Sequence, residues 1–221
     1  MVYQYELHAH TCEVSKCAVA DSLELVTAYK KLGYSGIVLT NHMSPYTFSS
    51  EGIERWEDKV SYFLSAYDKI KAYETNDFSV MLGMEITFYE NLNDYLVYGI
   101  TPEFLYNNSD LIEMGIQAFS SLAQKNGLLI YQAHPFRKSM TIINPEFLYG
   151  IEVYNGCIRH NSSNDIAEHW AEKYSLKKIS GSDFHIECDA GRGGIITTTK
   201  IKNNKDLLGI LKNNKYEVIK R

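Results

Sequence analysis

Along most of its length the chain repeats one pattern: a short apolar strand, a polar turn, then an amphipathic helix. That alternation constrains the fold most, because helices regularly interleaved with strands cover a mostly parallel sheet. Residues 2–8 read as the first strand. Asp21 and Glu24 form a capping-box pattern, after which Leu25, Val26, Tyr29 and Leu32 keep helical spacing and Gly33 suits the stop. "GIVLT" (36–40), "SVMLGM" (79–84), "YLVYGI" (95–100), "LLIYQA" (128–133), "IEVYN" (151–155), "KKIS" (177–180) and "GGIITTT" (193–199) read as further strands. Residues 54–73, 109–126, 164–174 and 204–213 read as helices, and "YEVIK" closes the chain. About six to eight strand–helix units in a chain of this length predict an α/β barrel; a doubly wound open sheet is the alternative. No linker, low-complexity tract or repeat divides the chain, so one domain over 1–221 is expected. "GRGG" (191–194) opens a strand rather than a helix, which speaks against a dinucleotide-binding loop.

Charge and composition narrow the partners. The net charge is -5, so no excess positive field attracts phosphate backbones, and no stable nucleic-acid complex is expected. No apolar run approaches the roughly 20 residues of a membrane helix. "MVYQYELH" lacks a basic start and an apolar middle, so a cytoplasmic location without membrane attachment is expected. Cys12, Cys17, Cys157 and Cys188 form no CxxC pair and no dense framework, which favours reduced thiols over disulfides or a zinc finger.

The polar residues that follow the strands carry the chemistry. His8 and His10 follow the first strand, Asn41 and His42 follow "GIVLT", and Glu85 follows "SVMLGM". His134 follows "LLIYQA", Asn155 follows "IEVY", and Asp183 and His185 follow "KKISGS". In a parallel sheet these ends share one face, the face that carries active sites in (β/α) barrels. Five of the 7 histidines fall there. His8 and His10 stand two apart, so both point to one side of a strand and can grip one ion. Glu85 has two oxygens and can bridge two ions; Asp183 and His185 repeat the two-residue spacing. Imidazole with carboxylate suits zinc, manganese or iron, and a donor set this rich implies two or three ions rather than one. Glu13 could add a ligand or face solvent. His160 lies in a loop after a strand and could meet a substrate, whereas His169 beside Trp170 reads as a surface residue.

"HAHT", "LTNH", "GMEI", "AHPF" and "SGSDFH" occur in that order between about residues 5 and 195. Together they resemble the PHP (polymerase and histidinol phosphatase) family of metal-dependent phosphoesterases. The resemblance implies a distorted (β/α)7 barrel with two or three divalent metal ions at the C-terminal ends of the strands. It implies that His8, His10, Glu85 and Asp183 hold one ion, that Glu85 bridges to a second ion bound by His134, and that His42 and His185 belong to the remaining ligand set. It also implies hydrolysis of a phosphate ester by metal-bound hydroxide, with a histidinol-phosphatase-like small phosphorylated metabolite as substrate. Asn41 stands where the family has aspartate. Glu13 is the nearest candidate for the ligand that follows the first histidine pair, and "DYLVYGI" offers no histidine where many members have one.

Phosphoryl transfer needs positive partners for the equatorial oxygens. Arg137 is a candidate clamp, since guanidinium can hold phosphate through two parallel bonds; Arg159 and Arg192 lie in other loops of that face. His185 or a metal-bound water could protonate the leaving oxygen. The rival readings are a nuclease or nucleotide phosphoesterase, a metal-binding module without turnover, and a C–N hydrolase of amidohydrolase type. The last commonly uses a carbamylated lysine after a middle strand, and no lysine sits at such an end here.

Overall fold

The computed structural model describes residues 1–109 and 111–221. Its strands form one strongly curved sheet. β1 (Tyr3–Ala9) pairs in parallel with β2 (Gly36–Leu39), which pairs in parallel with β4 (Ser79–Thr87). A two-residue strand, β3 (His42–Met43), adds to the end of β4. β5 (Asp94–Tyr98) runs antiparallel between β4 and β6 (Leu129–Gln132). β7 (Gly150–Asn155) and β8 (Lys177–Gly181) continue in parallel. The segment after β8 returns to β1: Phe184 bridges Ala9, its N–H donates to His8 O (3.2 Å) and its carbonyl accepts from His10 N (2.9 Å). The sheet is thereby a nearly closed barrel. β9 (Ile195–Thr197) and β10 (Glu217–Val218) extend it beyond β1 as an antiparallel flap. The barrel matches the expectation from the strand–helix alternation, except that β5 reverses direction.

Helices cover the outside. α1 (Ser22–Lys31) starts on the expected box: the Asp21 carboxylate accepts from Leu23 N and Glu24 N, and Glu24 accepts from Asp21 N. It buries Leu25, Val26 and Tyr29, but Leu32 is exposed. α3 (Trp56–Lys71) sets Val60, Phe63, Leu64 and Ile70 against the same apolar layer. α2 (Pro45–Ser50) and α4 (Pro102–Tyr106) are short helices, each capped by a hydroxyl and each with Pro at its first position. The helix expected over 109–126 is α5 (Gly115–Asn126), preceded by a 3-10 turn at Leu111–Glu113; residue 110 lies outside the described residues. Gly115 takes φ 72 and Glu90 caps Ile116 N, so the turn and the helix cannot merge. α6 (Asn164–Lys173) buries Ala167 and Ala171, while Ile166 and Tyr174 are exposed.

The barrel interior has two unlike ends. At one, Leu207, Ile210 and Leu211 of α7 (Asn204–Lys212) pack with Tyr5, Tyr98 and Leu129. The other end collects the polar side chains. β1 carries an irregularity between Glu6 and Ala9 that changes which way its residues face. Glu6 turns outward to Tyr29 on α1, whereas His8, two residues later, turns to the polar end. No helix among the described residues is long and apolar enough to cross a membrane.

Candidate metal centre

Glu85, near the end of β4, is buried and surrounded by imidazoles. Its Oε1 lies 3.1 Å from His8 Nε2 and 3.3 Å from His134 Nε2; its Oε2 lies 3.3 Å from His10 Nε2 and 3.0 Å from His42 Nδ1. Asp183 Oδ1 faces His8 Nε2 (3.4 Å), His10 Nε2 (3.5 Å) and His185 Nδ1 (3.5 Å). His8, His10, His42, Glu85, His134, Asp183 and His185, drawn from positions as far apart as 8 and 185, therefore occupy one site. His134 and Asp183 take positive φ, 28° and 51°, a strained choice for residues other than glycine that clusters at functional sites.

The neighbours behind the cluster set its proton positions. The Glu152 carboxylate accepts from His8 Nδ1 (2.9 Å), so Nε2 is the nitrogen turned to Glu85 and Asp183 and the one that would offer its lone pair to a cation there. Glu152 also accepts from His134 N and Asn155 Nδ2. Ser15 Oγ donates to Asn41 Oδ1 (2.9 Å), so its oxygen is free to accept from His10 Nδ1 (3.3 Å) and His42 N (3.0 Å). Asn41 also receives Thr11 N, and so fixes the loop that follows His10. His185 Nδ1 donates to its own loop at Asp183 O (2.8 Å), again leaving Nε2 as acceptor.

These side chains fit cations. His8 Nε2, His10 Nε2 and Glu85 Oε1 are buried and make no aligned hydrogen bond, although each has an oppositely polarised atom near it. Buried polar atoms left so are costly unless something else satisfies them. Charge points the same way: the carboxylates of Glu85, Asp94, Glu152 and Asp183 border the imidazoles, and Arg137 pairs with Asp183. The imidazoles offset part of this negative charge. Burial pulls His8 down, yet Glu152, Glu85 and Asp183 outweigh it and hold it well above the usual imidazole range. Burial likewise opposes the charge on His42, but Glu85 raises it well above that range. Burial together with His42 and His185 pushes His10 well below. Against the push of burial, His8 and His42 hold Glu85 well below the carboxylate range, and His8 with His10 does the same for Asp183. The side chains offer four groups of metal-binding atoms within 4.8 Å of one another: His8, His10 and Glu85; His8, His134 and Asp183; Glu85, Asp94 and His134; and His10, His42 and His185.

The remaining expected residues divide. Arg137 Nη2 bonds Asp183 Oδ2 (2.7 Å) and Asn155 Oδ1 (2.9 Å), while its buried Nε has no partner. Arg137, Arg159 and His160 line a cavity of about 300 Å³ together with the clustered side chains. Arg159 is anchored by both Asp189 oxygens at 2.6 and 2.7 Å. Two residues are not brought in. Glu13 points away, accepting from Lys69 Nζ (2.6 Å) and Ser22 N (3.1 Å), because the loop after His10 turns its side chain toward α1 and α3. Arg192 donates to Cys188 O and does not line the cavity.

Strand-end reasoning missed Asp94, Cys17 and Glu152. Asp94 opens β5, and because β5 is antiparallel its first residue lies beside the last residues of β4 and β6. Cys17 Sγ lies 3.1 Å from His185 Nε2; despite the opposing effect of burial, His185 and His42 bring its thiol down to about 6. The signal for Glu152 was in view: a charged residue inside an otherwise apolar strand.

The barrel gathers imidazoles and carboxylates at one end of its strands, a donor set that fits divalent metal ions. Comparison with known proteins gives the following likenesses. A family profile described as PHP-associated matches residues 161–216. No curated protein sequence matches the chain. Among solved structures, PsfC from Pseudomonas syringae superposes with TM-score 0.73 at 12% identity, over 100% of this chain and 92% of that one. A two-domain protein from Bacteroides vulgatus, containing a predicted PHP-like metal-dependent phosphoesterase, gives TM-score 0.69 at 17% identity over 100% of this chain and 65% of its own. A lesion-specific endonuclease from Pyrococcus furiosus gives 0.64 at 14% identity, over 99% of this chain and 58% of its own. The profile match is confined to residues 161–216, and these structures share the fold of the whole chain.

Proposed function

We propose that the chain is a metal-dependent phosphoesterase that hydrolyses a small phosphorylated molecule at this site. The observation that carries the proposal is Glu85: a buried carboxylate whose two oxygens face two different histidine pairs, with lone pairs left unmatched around it. In this reading His8, His10, Glu85 and Asp183 hold one divalent ion, Glu85 and His134 hold a second, and His42 and His185 serve a further position. Such ions supply positive charge to the phosphoryl oxygens and make hydroxide available at neutral pH.

The protein's own groups do the positioning. Arg137 holds Asp183 through Nη2 and lines the cavity, where its guanidinium supplies positive charge toward a phosphoryl group. Arg159 and His160 line the same cavity. Next to it lies a cleft of about 480 Å³ lined by Tyr46, Phe88, Tyr89 and Leu92, which shares Cys17, His42 and Asp94 with the metal cavity. That cleft suits an organic portion with an apolar or aromatic part. The endonuclease neighbour motivates a second substrate class, nucleic-acid phosphodiesters.

The test is direct. Protein purified without chelator is assayed for metal content, then given p-nitrophenyl phosphate, sugar phosphates, mononucleotides and single-stranded DNA after zinc, manganese or iron loading. Turnover of small monoesters above DNA is expected. A loaded protein that cleaves none of these would refute the proposal, and preference for DNA would move it to the second class. His10→Ala should lose at least one ion and reduce turnover by ~100-fold or more; full metal retention in that variant would overturn the ligand assignment.

A further inference from the structure

We propose that Cys17 is a thiolate ligand of the metal position formed by His10, His42 and His185, and that it makes this position selective for zinc or ferrous iron over manganese and magnesium. The inference rests on the reading of the cluster as a metal centre. It begins with an imbalance among the four ligand groups. Three of them contain Glu85 or Asp183; the group of His10, His42 and His185 contains no carboxylate. His10 Nε2 in that group is fully buried and unpartnered. Its ring lies 4.5 Å from His42 and 4.6 Å from His185, centre to centre. Three imidazoles packed this closely can share a cation, and an anionic side chain beside them would supply a fourth donor. Glu13, the carboxylate expected to supply it, is turned to Lys69.

Cys17 stands beside this group, whereas Glu85 and Asp183, which also face its rings, are shared with the other three groups. Its Sγ lies 3.1 Å from His185 Nε2. His185 Nδ1 donates to Asp183 O, so the nitrogen facing the sulfur is the one that carries the lone pair. The backbone holds the two side chains in register: Val19 N and Ala20 N both donate to His185 O, at 3.0 and 3.1 Å. Ser15 and Ala20 pin the two ends of the intervening loop, since Ala18 N donates to Ser15 O and Cys12 N donates to Ala20 O. A loop stitched to the carbonyl of a ligand histidine keeps the sulfur where the ring is. Cys17 is not in a disulfide. Thiolate is a soft donor that favours zinc and ferrous iron, whereas carboxylate in the same place would favour manganese or magnesium.

Two readouts independent of turnover test this on the full chain. In cobalt-loaded protein the thiolate gives a strong near-ultraviolet charge-transfer absorption, expected in the wild type and absent in Cys17→Ser. Alkylation by iodoacetamide, mapped by mass spectrometry, should slow at Cys17 by about tenfold or more on zinc loading, because the thiolate is then engaged. Exposed Cys188 serves as the internal control and should not change. Cys17→Asp should restore the bound ion lost in Cys17→Ser and shift its preference toward manganese. Protein that holds its ions without the absorption, or whose Cys17 reacts equally fast with and without zinc, overturns the thiolate assignment and leaves the metal centre standing. Protein that binds no cobalt or zinc at all overturns both. The alkylation arm uses the wild type alone, so a variant that fails to fold does not remove the test.

Discussion

At the scale of single residues, the site depends on groups that never meet the substrate. Glu152 accepts the Nδ1 proton of His8 and so leaves Nε2 as a donor of electrons. Glu152→Gln keeps the shape but replaces the carboxylate acceptor by an amide. We expect divalent-metal affinity to fall roughly 10–100-fold with little change in melting temperature, as measured by competition with a coloured chelator; unchanged affinity would show that His8 needs no such partner. Glu13 has a different job from the one its position suggests. Its bond from Lys69, with that from Ser22 N, outweighs burial and holds its carboxyl down at about 2. A carboxylate depressed in the folded state adds stability that is present above its ordinary pKa, near 4.5, and is lost as pH falls toward 2. Glu13→Gln should therefore cost about 1 kcal/mol at pH 7, a figure discounted because water screens the half-exposed Lys69. The cost should vanish near pH 2–3 in urea titrations, while metal content at pH 7 stays unchanged. Loss of an ion in this variant would return Glu13 to the ligand set.

At the scale of elements, irregular strands aim the side chains. β1 and β7 each carry a register shift, and each shift precedes or includes a residue of the site: His8 in β1, Glu152 in β7. β8 supplies the complementary absence of a side chain. A Cβ on Gly181 would stand 2.2 Å from His8 Cβ and 2.8 Å from Glu152 Oε1, so the strands can approach only because glycine is there. Gly181→Ala should destabilise the protein by about 3 kcal/mol by forcing those strands apart, and should weaken metal binding at the same time. Calorimetry with elemental analysis checks both; a stable, fully loaded variant would mean the strands yield easily. The sequence reading located β1, β2, β4, β6, β7 and β8 because each is an apolar run bounded by turn residues. It could not orient β5, since an apolar run looks alike in either direction, and so it passed over Asp94 at the strand's start.

At the scale of the whole molecule, closure of the barrel is what turns scattered residues into one site. Glu6 is the knot. Its carboxylate accepts from Leu7 N, His8 N and Tyr29 Oη and from both the N–H and the hydroxyl of Ser182, tying β1, α1 and the segment after β8 together. Glu6→Ala leaves those buried donors unmatched and should cost about 3–5 kcal/mol in urea unfolding, with loss of bound metal from any folded fraction. A variant as stable as the wild type would place the closure elsewhere. By itself the sequence determined the class of fold and the face on which the chemistry would gather, because strand–helix periodicity and the donors at strand ends are local patterns. It also named the histidines and acids that meet there, from His8 to His185. Only the tertiary structure decided that Glu13 and Arg192 turn away and that Asp94, Cys17 and Glu152 turn in. Strand direction, register shifts and loop tethers are set by contacts between segments far apart in the chain, and no local pattern records them.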